Sequence, residues 1–329
     1  MSRLRDSNSK TMANLALYGA RFIYSRSRRL KSNRIRENYR LKWFAIFLVP
    51  AMIIYTIFWA VPILSTLSFS FTNWSGITAF SKADFVGLKN FRQMAHDPIF
   101  IQSLKNNFQY GIVMVIAVPP LSFFIAYLLD THIPFKKFFG FLAYIPAILP
   151  TVVVMLLWRW ILNAQYGLVN TFLKAVGLEQ FAIGWLSNVD TALWAVTFVS
   201  IWKTVPTYTI LALAGLQQIP VEYKEAAIID GANEWQRIIH IIIPSMRSVF
   251  YTIFTLVIID VFRVFELVYI MTEGGPGYYS TEMLLTYMYK SSFSSYMAGY
   301  GSAIATTTIL IVLVITALNL KFSSRSEED

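Results

Sequence analysis

Asp260, Arg263 and Glu266 stand three residues apart in an otherwise apolar stretch, and Lys203 stands in another, near Trp202, Pro206 and Tyr208. A charge at the centre of a bilayer costs about 2.5–3.5 kcal/mol, so residues like these face one another or a wet cavity. On a continuous helix, at about 100° per residue, the three charges share an arc of about 120°. Opposite charges at i, i+3 can pair. Two chemistries follow. The triplet could be a self-neutralised polar face that holds helices together, or a gate that touches a polar solute. Lys203 and Tyr208 could line the same path, or Lys203 could pair with a carboxylate across the bundle. Other chemistries lack their residues. There is no cysteine, hence no thiol nucleophile or thiolate metal site. His96, His132 and His240 are not at metal-ligand spacing, and no G-x-S-x-G occurs. A G-x4-G-K-[ST] phosphate loop is also missing, so any nucleotide must sit on another chain. The glycine run Thr272–Gly277 (TEGGPG) has no Lys-Ser/Thr after it, which suits a tight turn better than a phosphate cradle.

The elements that must carry these residues are apolar and long. The 329 residues are 56% hydrophobic with a mean hydropathy of +0.53, and 14% are charged. Soluble domains carry about 25% charged residues, so an all-α integral membrane protein is expected. Six segments meet the requirement of about 20 apolar residues: 43–70, 107–129, 138–162, 190–216, 246–271 and 298–320. Prolines 50, 62, 119, 120, 146, 150 and 206 fall inside them, which neighbouring helices can tolerate. The first segment starts too late and runs too long for a cleaved signal peptide.

Charge sets the expected orientation. Residues 1–42 hold twelve of the 28 Lys/Arg against Asp6 and Glu37, directly before the first apolar segment. With six spans, the side holding both termini carries 18 basic residues and the other side six. Positive residues stay inside, so both termini and the 217–245 loop are expected in the cytoplasm. The +10 net charge therefore reads as topology rather than as a nucleic-acid surface. Residues 11–24 could form an amphipathic surface helix or stay unstructured, and 321–329 form a second tail. Arg159, between Trp158 and Trp160, reads as an interface anchor.

The 219–244 loop is unusually organised. Pro220 suits a helix start and Glu222 its first turn. The helix should stop at Asp230-Gly231, where glycine accepts a left-handed backbone. Asn233 and Gln236 are spaced as a capping box for a second helix, which Pro244 ends or kinks. Glu225-Ala226-Ala227 gives the first helix a small, charged surface suited to close contact with another protein.

Glu225-Ala226-Ala227, Gly231 after three more residues, and Ile241–Pro244 after nine resemble the EAA loop of binding-protein-dependent ABC importer permeases. Ile243 stands where that family usually has leucine. FVGLKNF (85–91), SLKNNFQY (103–110) and MTEGGPGYYSTEMLLTYMYKSSF (271–293) resemble the sugar-type, MalF/UgpA-like subunits of oligosaccharide importers. The resemblance covers most of the chain from residue 43 onward. It implies the type I ABC importer permease fold: six spans with a cytoplasmic coupling loop. It implies a bacterial or archaeal cell membrane, a second permease subunit, two ATPase subunits that bind the ATP and Mg, an extracytoplasmic solute-binding protein and a saccharide substrate. Glu225, Ala226, Ala227, Asp230, Gly231 and Pro244 would then be the ATPase-coupling set, with the alanines packed in the ATPase cleft. Lys203, Tyr208, Asp260, Arg263 and Glu266 would be candidates for the substrate path. From the residues alone, an ion-coupled secondary transporter or channel remains the rival reading.

Overall fold

The computed structural model describes residues 43–131 and 134–325. The basic tail, its 11–24 segment, His132 and the last four residues lie outside them. The chain divides into two units, Met1–Ser65 and Thr66–Asp329. The described part of the first unit is the start of helix α1 (Trp43–Phe69), whose residues from Trp43 to Trp59 are all exposed. A π turn at Thr56–Ala60 precedes Pro62, which has no amide to offer the turn before it.

The second unit is helical. Its only extended pairing among the described residues is the lone bridge between Thr72 and Phe85. In chain order come α2 (Lys89–Ala95), α3 (Pro98–Asp130), α4 (Lys136–Ile148), α5 (Thr151–Ile161), α6 (Leu168–Ala175) and α7 (Val189–Gln217). Then follow α8 (Val221–Ile229), α9 (Glu234–Ser245), α10 (Arg247–Arg263), α11 (Glu266–Thr272), α12 (Leu284–Tyr289) and α13 (Ala298–Arg325). Among the described residues, four helices are long and apolar enough to cross a membrane, or up to six if each of two bent pairs is one span. α4 and α5 meet at 98°, and α9 and α10 at 69°.

α3 and α7 form the principal packed pair, and α10, α12 and α13 gather around them. Met114, Val118 and Ala126 of α3, Val196, Val199 and Ala212 of α7, and Ile253 and Val257 of α10 are fully or almost fully buried. The first break in the bundle lies at Leu149-Pro150. Proline at 150 pushes Leu149 into an extended backbone and leaves the Pro146 carbonyl without a donor at i+4. The second lies at Val264-Phe265, inside the segment expected to be one span. α10 ends at Arg263 and α11 begins at Glu266.

Candidate functional site

The two-helix loop is built as its residue types require. Pro220 precedes α8, and Glu222 lies in its first turn. At the other end the Ala232 amide donates to the Ala227 carbonyl (2.9 Å) and the Gly231 amide to that of Ile228 (3.1 Å). This paired closure needs a left-handed residue, and Gly231 supplies it with φ +77°. Asn233 then caps α9: the Gln236 amide donates to Asn233 Oδ1 (2.9 Å), and the Gln236 side chain accepts from the Asn233 amide (2.8 Å). α9 loosens into a π turn at Ile238–Ile242 just before Pro244, and the chain bends at Met246 into α10.

The loop presents a mixed surface. Glu225, Ala226, Asp230 and Pro244 are exposed. So are Ile228 (59%), Ile229 (85%) and Trp235 (73%), which flank the Gly231 turn. Ala227 is different: it is buried within this chain, so of the two alanines only Ala226 is open to a neighbour. In this chain's own structure Ala226 is therefore the alanine of the pair that is open. Two contacts tie the loop to the end of α3. Lys224 Nζ donates to Asp130 Oδ2 at 3.0 Å, and the Tyr127 hydroxyl donates to Glu234, which also pairs with Arg237.

The intramembrane charges are arranged differently from a single helical face. Because the helix breaks after Arg263, Glu266 starts a new helix and the shared arc is lost. Among the described residues no ion pair joins Asp260, Arg263 and Glu266. Asp260 instead accepts from the buried Tyr208 hydroxyl across the bundle, at 2.7 Å. All three charges are nonetheless exposed on this chain's surface. Among the described residues Lys203 pairs with no carboxylate. Its Nζ donates to the carbonyls of Pro146 (2.6 Å) and Leu149 (2.7 Å), with Ala147 at 3.4 Å. These are the groups that the Pro150 break strands, so Lys203 closes the broken end of α4. Arg159 lines a cleft of about 450 Å³ with Asn163, Gln165, Ser187, Thr272 and Glu273.

Sequence reasoning missed the groups that hold the glycine-rich loop. Glu282 is wholly buried and pairs with Lys290 Nζ at 2.6 Å, which also donates to the Glu273 carbonyl. Gly274 (φ +101°) passes so close that an added Cβ would lie 2.2 Å from Glu282 Oε2. At Gly274 the loop therefore passes directly over the ion pair, with no room for a side chain. Asn106 and Asn107 of α3 fasten the same loop. Asn106 Nδ2 donates to the Tyr279 and Glu282 carbonyls, both at 2.9 Å. Asn107 accepts from the Leu284 amide (2.8 Å) and donates to the Val261 carbonyl (3.0 Å), which the break after Arg263 would otherwise strand. The only sequence signal was the polar Asn-Asn pair at the edge of an apolar segment. Asp97, the N-cap of α3, was missed as well. Its carboxylate accepts from the hydroxyls of Tyr287 and Tyr300. Burial opposes its ionisation, but these phenols and the Ile99 and Phe100 amides outweigh that and hold it below the ordinary value of 3.8. Burial and the Asp97 charge push the Tyr287 phenol up.

Comparison with known proteins bears on the family and the fold. The family described as "Binding-protein-dependent transport system inner membrane component" matches residues 119–327. The chain belongs to that family. Among similar permeases is the probable ABC transporter permease protein YurN of Bacillus subtilis, 35% identical over 286 residues, 86% of this chain and 97% of that one. The trehalose/maltose transport system permease protein MalF of Thermococcus litoralis is 30% identical over 276 residues, covering 84% and 92%. The resemblance to sugar-type ABC importer permeases is thereby borne out. A bacterial ABC transporter for import of the acidic polysaccharide alginate contains a chain of the same fold, with TM-score 0.79, 22% identity, and 89% and 99% covered. The type I permease fold expected from the sequence is thus the fold observed. As in other permeases of this family, the chain is a multi-pass membrane subunit.

Proposed function

We propose that this permease is one half of the transmembrane pathway of an ATP-driven saccharide importer in a bacterial or archaeal cell membrane, with both termini and the α8–α9 loop in the cytoplasm. A separate ATPase pair binds ATP and Mg, and a solute-binding protein delivers the sugar to the outer face. A second permease subunit completes the path. The observation that carries this reading is the loop: Ile228, Ile229 and Trp235 stand exposed around a fixed turn, beside Glu225 and Ala226. An apolar, well-capped surface of this kind on a polar loop is a docking surface. ATP closes the ATPase pair, the loop moves with it, and the bundle alternates between inward and outward access. The sugar class rests on relatives named for trehalose/maltose and for arabinooligosaccharides. The exposed charges Asp260, Arg263 and Glu266 support the path. They belong to apolar helices, and exposed charge at that depth requires water or a partner subunit.

The test is copurification and transport. The chain should copurify with its ATPase, and vesicles holding the complex should take up sugar only with ATP. Glu225→Lys or Gly231→Pro should abolish that uptake. Sugar uptake by the chain alone, driven by an ion gradient without ATP, would decide for a secondary transporter.

A further inference from the structure

We propose that α3 is the strut that carries movement of the ATPase-facing loop to the outer face of the chain, and that Lys224–Asp130 and Tyr127–Glu234 are its inner joint. The proposal rests on the reading that the α8–α9 loop docks on an ATPase. α3 has 33 residues and is therefore about 50 Å long. Side chains pin both of its ends. At the inner end, Asp130 holds α8 through Lys224, and Tyr127 holds α9 through Glu234. One bond goes to each helix, so the loop is fastened to α3 on both sides of its turn. At the outer end, Asp97 accepts from Tyr287 and Tyr300, Asn106 holds the Tyr279 and Glu282 carbonyls, and Asn107 holds Leu284 and Val261. The loop also has two covalent exits. α7 enters it through Gln218–Pro220, and α9 leaves it through the 69° bend at Met246. A displacement of α8 or α9 therefore reaches the glycine-rich outer loop through α3. The four joint residues are positioning residues that touch neither nucleotide nor sugar.

The experiment uses the assembled transporter in vesicles, with its binding protein. Asp130→Lys and Lys224→Asp are made singly and together, and Tyr127→Phe is a milder third variant. The chain has no cysteine, so Tyr278→Cys on the 86%-exposed outer loop residue gives a single labelling site on this subunit, read from its own band. Each single reversal should keep copurification with the ATPase and basal ATP hydrolysis, yet lower ATP-driven uptake by about ten-fold, the effect of about 1.4 kcal/mol of lost coupling. The ATP-dependent change in maleimide labelling at position 278 should vanish with it. The double reversal should restore both, because the pair is rebuilt with its charges exchanged. Tyr127→Phe should weaken both readouts while leaving assembly intact. Wild-type uptake and labelling in the single reversals would overturn the proposal. So would a double reversal that assembles but recovers neither. Failure of the unaltered chain to copurify with an ATPase would instead overturn the docking reading beneath it.

Discussion

Lys203 illustrates how a charge can be tolerated among apolar helices without a counter-ion. Its ammonium offers three donors, and the α4–α5 break offers stranded carbonyls at 2.6 and 2.7 Å. A buried carbonyl left without a partner costs about 1–3 kcal/mol. Lys203→Met should therefore lower the thermal stability of the detergent-solubilised chain by about 3 kcal/mol, and Lys203→Arg by less, as read by an unfolding scan. Asp97 makes a pH-dependent contribution of the opposite kind. Its folded value lies below 3.8, so the native state binds its proton less readily than the unfolded chain. The stabilisation is complete above that value and is lost as pH falls through the lower folded value. Unfolding scans should show wild-type stability flat from neutral pH down to the carboxylate range, then falling. Asp97→Asn should be less stable at neutral pH and lack that acid step. A steep change near pH 6 to 7 that Asp97→Asn removes would contradict the assignment.

Two breaks in the bundle are each repaired by a side chain from a different helix. Lys203 of α7 serves the break after α4, and Asn107 of α3 serves the break after α10. The glycine-rich segment follows the same logic, with a buried glutamate as its centre. Removing one member of such a pair leaves an uncompensated buried charge. Lys290→Met should cost about 3–5 kcal/mol of stability, and Glu282→Gln added to it should recover part of that loss. Equal stability of the single and double variants would show that Glu282 is not held as an ion. These arrangements mark the limit of what local sequence reveals. The helix start at Pro220, the stop at Gly231 and the Asn233 cap were legible, because each involves residues within four positions of one another. The 98° turn at Pro150 was signalled only as a proline. The Glu282–Lys290 pair, the Asp97 hub and the role of Lys203 join residues brought together by packing, and no spacing announces them. The single-face reading of Asp260, Arg263 and Glu266 failed because it assumed one uninterrupted helix.

At the scale of the whole molecule, surface exposure separates residues that serve this chain from residues that await another. Ala227 is covered by its own chain, whereas Ile229 is 85% exposed at the edge of the Gly231 turn. A polar loop gains nothing by presenting isoleucine to water, and burial of such a side chain on a partner contributes about 1.5–3 kcal/mol. That difference makes Ile229→Glu a clean separation of fold from assembly. The substitution adds charge where the side chain already meets solvent, so the purified chain should unfold at the wild-type temperature. On docking, the same glutamate would have to be desolvated against the partner, and the apolar contribution would be lost as well. ATPase binding should therefore weaken by about ten- to one-hundred-fold, with a matching loss of ATP-driven uptake. Ala227→Glu should behave in the opposite way, destabilising the isolated chain first, because its side chain has no open face. If Ile229→Glu lowers the unfolding temperature of the isolated chain and leaves ATPase binding unchanged, the exposed ridge belongs to this chain's own packing, and the docking surface must lie elsewhere.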